Sequence, residues 1–223
     1  MQAEQQQQLV LYSYWRSSAS YRVRIALNLK GLPYKTIPVN LVRQGGEQLS
    51  EDYLRINPQG LVPVLSHRGN VLTQSMAICE YLDEVFPGYL LLPPEPALRA
   101  EIRALALQVA CEIHPINNLR VQKYLAGRCG DSIDTVEWMD HWITEGFSAL
   151  EKQLHNSMRA DSSFISGHPG LFECFLIPQV YNAERFGVDM SGFKVIRKIV
   201  SQCRALQVFQ GAAPENQPDA VPV

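Results

Sequence analysis

The chain has 223 residues, enough for one large or two small domains, and its 46% hydrophobic and 19% charged content is an ordinary globular balance. Twenty basic against 22 acidic residues leave a formal net charge of -2, which excludes an electrostatic case for nucleic acid or an anionic membrane as partner. The start "MQAEQQQQ" has neither a basic nor an apolar leader region, and no later apolar run approaches spanning length, so a soluble, unexported, cytoplasmic protein is expected.

Residues 9–15, "LVLYSYW", are aromatic and β-branched up to a polar cluster and predict a strand. Val23, Ala26 and Leu27 then recur at helical spacing with Gly31 just past the end, so a helix follows. "YKTIPVNL" (34–41) predicts a second strand and "SEDYLRIN" (50–57) a short capped helix. "LVPVLSH" and "VLTQ" predict two short strands around the turn "RGN". "SMAICEYLDEVF" (75–86) reads as a strong helix with Ser75 as its N-cap, stopped by Pro87-Gly88. From Pro93 onward strand signals vanish, and residues 97–114, 134–155, 171–187 and 193–209 all carry apolar residues at three-to-four spacing. The predicted domains are therefore 8–88 and 93–211, joined by the proline-rich "PGYLLLPPEP", with 212–223 as a flexible tail. The five cysteines, Cys79, Cys111, Cys129, Cys174 and Cys203, form no CxxC pair. They are expected as reduced thiols, four of them in helix-like or apolar contexts that favour buried packing, with no metal site among them.

Three stretches carry chemistry. In "NPQGLVPVL" (57–65) a proline interrupts a strand-like run and forfeits a ladder hydrogen bond, which places it at an edge, a bulge or a cis turn. A cis Val62–Pro63 bond would present the Val62 N–H and C=O to an extended peptide, although an edge strand accounts for Pro63 alone equally well. In "TQSMAI" (73–78), Ser75 at a helix start offers a hydroxyl and free backbone N–H groups to a carboxylate, and Gln74 adds an amide. Taken alone, Ser75 needs no role beyond capping. In "YWRSSASYRVRIALNLKG" (14–31), Arg16 and the pair Ser17 and Ser18 stand at the first strand-to-helix turn.

Together these pieces, followed by an all-helical half, resemble the cytosolic glutathione transferases. "SSASYRVRIALNLKG" is similar to the signature of the zeta class, which includes the maleylacetoacetate and maleylpyruvate isomerases. The likeness continues through "NPQGLVPVL", "TQSMAICEYL", "EIHPINNLRV" and "PQVYNAERFGVDM", covering residues 9 to 210. It implies an α/β plus all-α fold, with a thioredoxin-like N-terminal domain built on a mixed four-stranded sheet and an all-helical C-terminal domain. It also implies glutathione as cofactor, a homodimer, and glutathione-dependent cis-trans isomerisation of a small dicarboxylate in aromatic catabolism.

Position by position, the resemblance assigns Ser17 to donate its hydroxyl to the glutathione sulfur, which favours the thiolate, with Ser18 as helper. It assigns Val62 and Pro63 to the cysteinyl part, Gln74 and Ser75 to the γ-glutamyl end, and His114 to the tripeptide. For His114 a satisfied histidine at the bend made by Pro115 accounts for the residue equally well. Arg16, Arg120 and Arg185 match substrate-facing positions, where a planar, permanently charged fork suits carboxylates. Arg22 and Arg24 read as structural.

Two positions depart from the family pattern. Ala19 stands where the family often has cysteine, so the reactive sulfur must be that of glutathione. Gly170 and Glu173 stand where a Thr or Ser usually caps the central helix of the second domain, which predicts a modest local loss of stability. Two further functions remain open: a zeta-like transferase acting on small α-halo acids, and a non-catalytic binding module. Retention of Ser17, Val62-Pro63, Gln74 and Ser75 argues against the module.

Overall fold

In a computed structural model, which describes residues 8–157 and 162–221, the apolar alternation at the start becomes strand β1, Leu9–Ser13. Leu9, Leu11 and Ser13 are buried, with Val10 and Tyr12 between them half-buried, as the two-residue period of a strand requires. β1 pairs in parallel with β2 (Tyr34–Pro38) and antiparallel with β3 (Val64–His67), Tyr12 lying opposite Val64. β4 (Asn70–Thr73) completes the order β2-β1-β3-β4. Arg68 and Gly69, at φ 51° and 79°, supply the left-handed pair that a two-residue hairpin needs. This is the mixed four-stranded sheet that the resemblance implied.

Helix α1 (Ser18–Leu29) is buried along most of its length and packs against α3 (Ser75–Val85) and α9 (Gln207–Ala212). The short α2 (Glu51–Ile56) is capped by Ser50, whose hydroxyl accepts the Tyr53 N–H at 3.3 Å. The chain divides into two units, one running up to Leu91 and taking in the segment from Leu206 onward, the other Leu92–Ala205. The segment expected as a flexible tail is corrected here. Up to residue 221 it is fixed to the first unit: Pro214 is buried, Ala212 O accepts from the Arg24 Nε at 3.0 Å, and the Asp219 carboxylate accepts the Trp15 N–H at 3.0 Å. Residues 222–223, like 1–7, lie outside the described residues.

The second unit contains α4 (Pro96–Leu107), a π-helical turn (Gln108–Ile113), α5 (Leu119–Cys129), α6 (Thr135–Ser157), α7 (Leu171–Arg185) and α8 (Lys194–Arg204). Every residue from Leu171 to Val180 is buried, so α7 is the axis of this unit. α5, which the sequence reading did not single out, buries no residue. The apolar run 193–209 is not one helix. It breaks at Leu206, which is extended at φ -90° and ψ 132°. Cys79, Cys174 and Cys203 are buried, Cys129 is half-buried and Cys111 is exposed, all as free thiols. No described helix is long and apolar enough to cross a membrane.

Candidate functional site

The first functional turn is built by a buried arginine. Arg24, fully buried on α1, donates from its guanidinium to Ser13 Oγ (3.2 Å), Tyr14 O (3.4 Å) and Trp15 O (2.9 Å). Burial pulls its pKa down to about 10, so it stays charged at neutral pH. With the Asp219 carboxylate on the Trp15 N–H, these bonds fix both sides of the peptide chain leading to Arg16 and Ser17. The structural role expected for Arg24 is therefore the one it has.

Ser17 is the N-cap of α1, at φ -73° and ψ 117°, and its Oγ accepts the Ser20 N–H at 3.2 Å. Accepting that bond leaves the hydroxyl's own hydrogen for an acceptor outside the helix. Ser18 is the first helical residue and Ala19 the second, both half-buried, so a donor hydroxyl and the positive end of a helix dipole coincide here. The guanidinium of the half-buried Arg16 lies over the Trp15 ring, 4.2 Å from its centroid.

Val62 belongs to the same buried cluster as Tyr14, Trp15, Tyr53 and Val64, which sets it beside the end of β1. The loop that delivers it is held by Leu61 O, which accepts from Tyr53 Oη and Asn57 Nδ2, both at 2.8 Å. Gly60 sits at φ 61°, and a Cβ there would come 3.2 Å from Gln48 O, so a side chain would be strained in both conformation and space. The Val62–Pro63 peptide is cis. Among the described residues no hydrogen bond engages the Val62 N–H or C=O.

The N-cap expected at Ser75 falls one residue earlier, at Gln74. Gln74 is the N-cap of α3, at a left-handed φ of 69°, and its Nε2 donates to Gln59 Oε1 at 3.0 Å. Ser75 is the first helical residue, and its Oγ caps nothing: it accepts from Arg22 Nη1 at 3.2 Å. The first hydrogen bond of α3 is Ile78 N–H to Gln74 O, so the N–H groups before it have no partner within the helix. Gln59 and Arg22 hold these two side chains: Gln59 lies inside a motif read only for its proline, and Arg22, read as structural, stands between Tyr21 and Val23 in a largely apolar stretch, which was the available signal. Cys79, on the same helix, is no candidate nucleophile, because burial pushes its thiol up to about 12.

Arg16, Ser17, Ser18, Val62, Pro63, Gln74 and Ser75 thus lie in the first unit, and His114, Arg120 and Arg185 in the second. His114 is half-buried just after the π-helical turn, its N–H bonded to Val109 O at 2.9 Å. The turn after it is held by Asn117 Nδ2 donating to Ile113 O (3.0 Å) and the Trp138 indole donating to Ile116 O (3.2 Å). Arg120 is exposed in the first turn of α5, which Asn118 caps. Arg185 ends α7, its guanidinium 4.6 Å from the centroid of the Phe186 ring.

Residues 16–85 match the family described as "Glutathione S-transferase, N-terminal domain". The chain is 48% identical to a probable maleylacetoacetate isomerase of Vibrio cholerae, over 95% of its own length and 98% of that protein's. Its fold superposes on the holo structure of a maleylpyruvate isomerase, a bacterial zeta-class glutathione transferase, with a TM-score of 0.90 and 42% identity, covering 95% of this chain and all of that one. It also superposes on the maleylacetoacetate isomerase of Anaeromyxobacter dehalogenans with dicarboxyethyl glutathione and citrate bound in the active site (TM-score 0.84, 39% identity, 96% and 94% covered).

Proposed function

This chain belongs to the zeta class of the glutathione transferase family, and on that premise we propose that it is a glutathione-dependent cis-trans isomerase. Its substrate is maleylacetoacetate, converted to fumarylacetoacetate, or the corresponding maleylpyruvate. The observation that carries the reading is Ser17, whose oxygen is occupied by the Ser20 N–H while its hydrogen remains to be donated, at the start of a helix that favours negative charge.

The residues present fit glutathione. The Val62 peptide, free of hydrogen bonds among the described residues, suits the cysteinyl backbone, and the start of α3 at Gln74 and Ser75 suits the γ-glutamyl carboxylate. Bound glutathione supplies the thiolate whose reversible addition lets the cis double bond rotate. Ser17 holds the sulfur in its charged form by donating to it, with Ser18 beside it. Arg16, Arg120 and Arg185 bind the substrate's carboxylates and stabilise the enolate charge that thiolate addition creates, and His114 contributes to the tripeptide. Ala19 contributes no thiol, so the protein itself supplies no nucleophilic sulfur at this turn. A homodimer in the cytoplasm completes the proposal, and sedimentation of the purified protein tests its first half.

The deciding experiment incubates the protein with maleylacetoacetate, and separately with maleylpyruvate, with and without glutathione, and follows the enol absorbance. Loss of absorbance only when glutathione is present is expected; no glutathione-dependent change with either substrate would sink the proposal. In the same assay Arg16→Gln or Arg185→Gln is expected to raise KM for the dicarboxylate about tenfold. An unaltered KM would return that arginine to the surface.

A further inference from the structure

Arg22 is buried to 3% exposure on α1, and its Nη1 donates to Ser75 Oγ, 53 residues further along, at 3.2 Å. A guanidinium has five donors and no acceptor, so in this bond the serine oxygen can only accept. A serine hydroxyl has one hydrogen. With its oxygen accepting from Arg22, that hydrogen is left for an acceptor other than Arg22.

We propose that Arg22 is a positioning residue of the glutathione site: it fixes Ser75 as an outward hydrogen-bond donor and places a buried positive charge behind it, so that the pair selects a carboxylate. The inference rests on the reading that Ser75 meets the γ-glutamyl end of glutathione. Three features make the arrangement directional. The first is the donor-only chemistry of arginine, which decides the orientation of the serine. A neutral acceptor in the same place, such as an amide oxygen, would turn the hydroxyl inward. The second is burial: Ser75 retains only 7% of its surface and Arg22 3%, so the bond between them is shielded from competing water. The third is rigidity, because α1 and α3 pack directly on each other and neither side chain stands on a loop. The same charge reaches Cys79, one turn along α3, where it opposes the upward push of burial on the thiol. The Arg22 guanidinium thus lies under the first turn of α3 rather than at the rim of the fold.

The test is a double-mutant cycle on the full chain, read as the dissociation constant for glutathione by calorimetric titration without any isomerase substrate. Arg22→Met and Ser75→Ala are each expected to weaken glutathione on the order of tenfold. The double variant is expected to lose clearly less than the product of the two single losses, because Arg22 acts largely through Ser75. Binding of cysteinylglycine, which lacks the γ-glutamyl group, is expected to stay unchanged, a result that a general loosening of the fold would not give. If Arg22→Met does not fold, Arg22→Lys carries the same cycle: a smaller loss that shrinks in the Ser75→Ala background is expected. Losses that simply add, with either replacement, would overturn the inference and leave the isomerase reading intact. Failure of the unaltered protein to bind glutathione would overturn both.

Discussion

Ser17 combines two duties that are usually separate, because a cap uses the oxygen of a hydroxyl and a ligand uses its hydrogen. Replacement by alanine therefore has two separable costs. Loss of the cap is worth about 1 kcal/mol of stability. Loss of a hydrogen bond to the charged sulfur is worth about 1.5–3 kcal/mol, which is one to two pKa units of the bound thiol and roughly a tenfold to hundredfold loss of thiolate at neutral pH. Ser17→Ala is thus expected to raise the thiol pKa of bound glutathione, followed through thiolate absorbance against pH, and to cut turnover by at least about tenfold. Ser17→Thr, which keeps both the oxygen and the hydrogen, is expected to retain most of each. A variant that loses melting temperature but keeps its thiolate would reduce Ser17 to a cap.

Helix α7 carries a cap of altered chemistry, and the alteration makes its stability depend on pH. With Gly170 at its start there is no side chain to accept the helix N–H groups, and only the return bond survives, Glu173 Oε2 accepting the Gly170 N–H at 2.7 Å. Glu173 is 3% exposed, and burial pushes its carboxyl up to about 7 despite that bond. An unfolded glutamate loses its proton near its ordinary value of 4.5. Between the two values the folded state binds more protons, so stability falls as pH rises. The contribution is fully present below 4.5 and lost as pH passes about 7. It amounts to at most about 3 kcal/mol. Glu173→Gln keeps an acceptor for Gly170 and cannot ionise. Chemical unfolding of this variant is therefore expected to show a flatter stability profile between pH 4.5 and 7 than the unaltered protein, and identical slopes would place the titration elsewhere.

At the scale of the whole chain, what was legible in the sequence is what depends on neighbours in sequence. The β-α-β-α-β-β-α order and the serine at the first helix start follow from local backbone chemistry, whereas Pro63 by itself left a cis turn and an edge strand equally open. That Gln74 rather than Ser75 is the N-cap was not legible, nor was the partner of Ser75, an arginine 53 residues away. Nor was the fate of the C-terminal segment, whose prolines and small polar residues read as a tail. Its order comes from long-range meetings: Asp219 with the Trp15 N–H across 204 residues of chain, Arg24 on Ala212 O and Asn28 on Val208 O. The first of these lies one residue from Arg16 and two from Ser17, so the last described part of the chain supports the first functional turn. Asp219→Ala leaves the half-buried Trp15 N–H without its acceptor and is expected to cost about 1–2 kcal/mol of stability. Because the turn also carries Ser17, the same variant is expected to weaken glutathione binding severalfold as well. Calorimetric titration beside thermal unfolding checks both. Unchanged glutathione affinity with reduced stability would confine Asp219 to the fold, whereas a joint loss makes the C-terminal segment part of the apparatus that holds Ser17 in place.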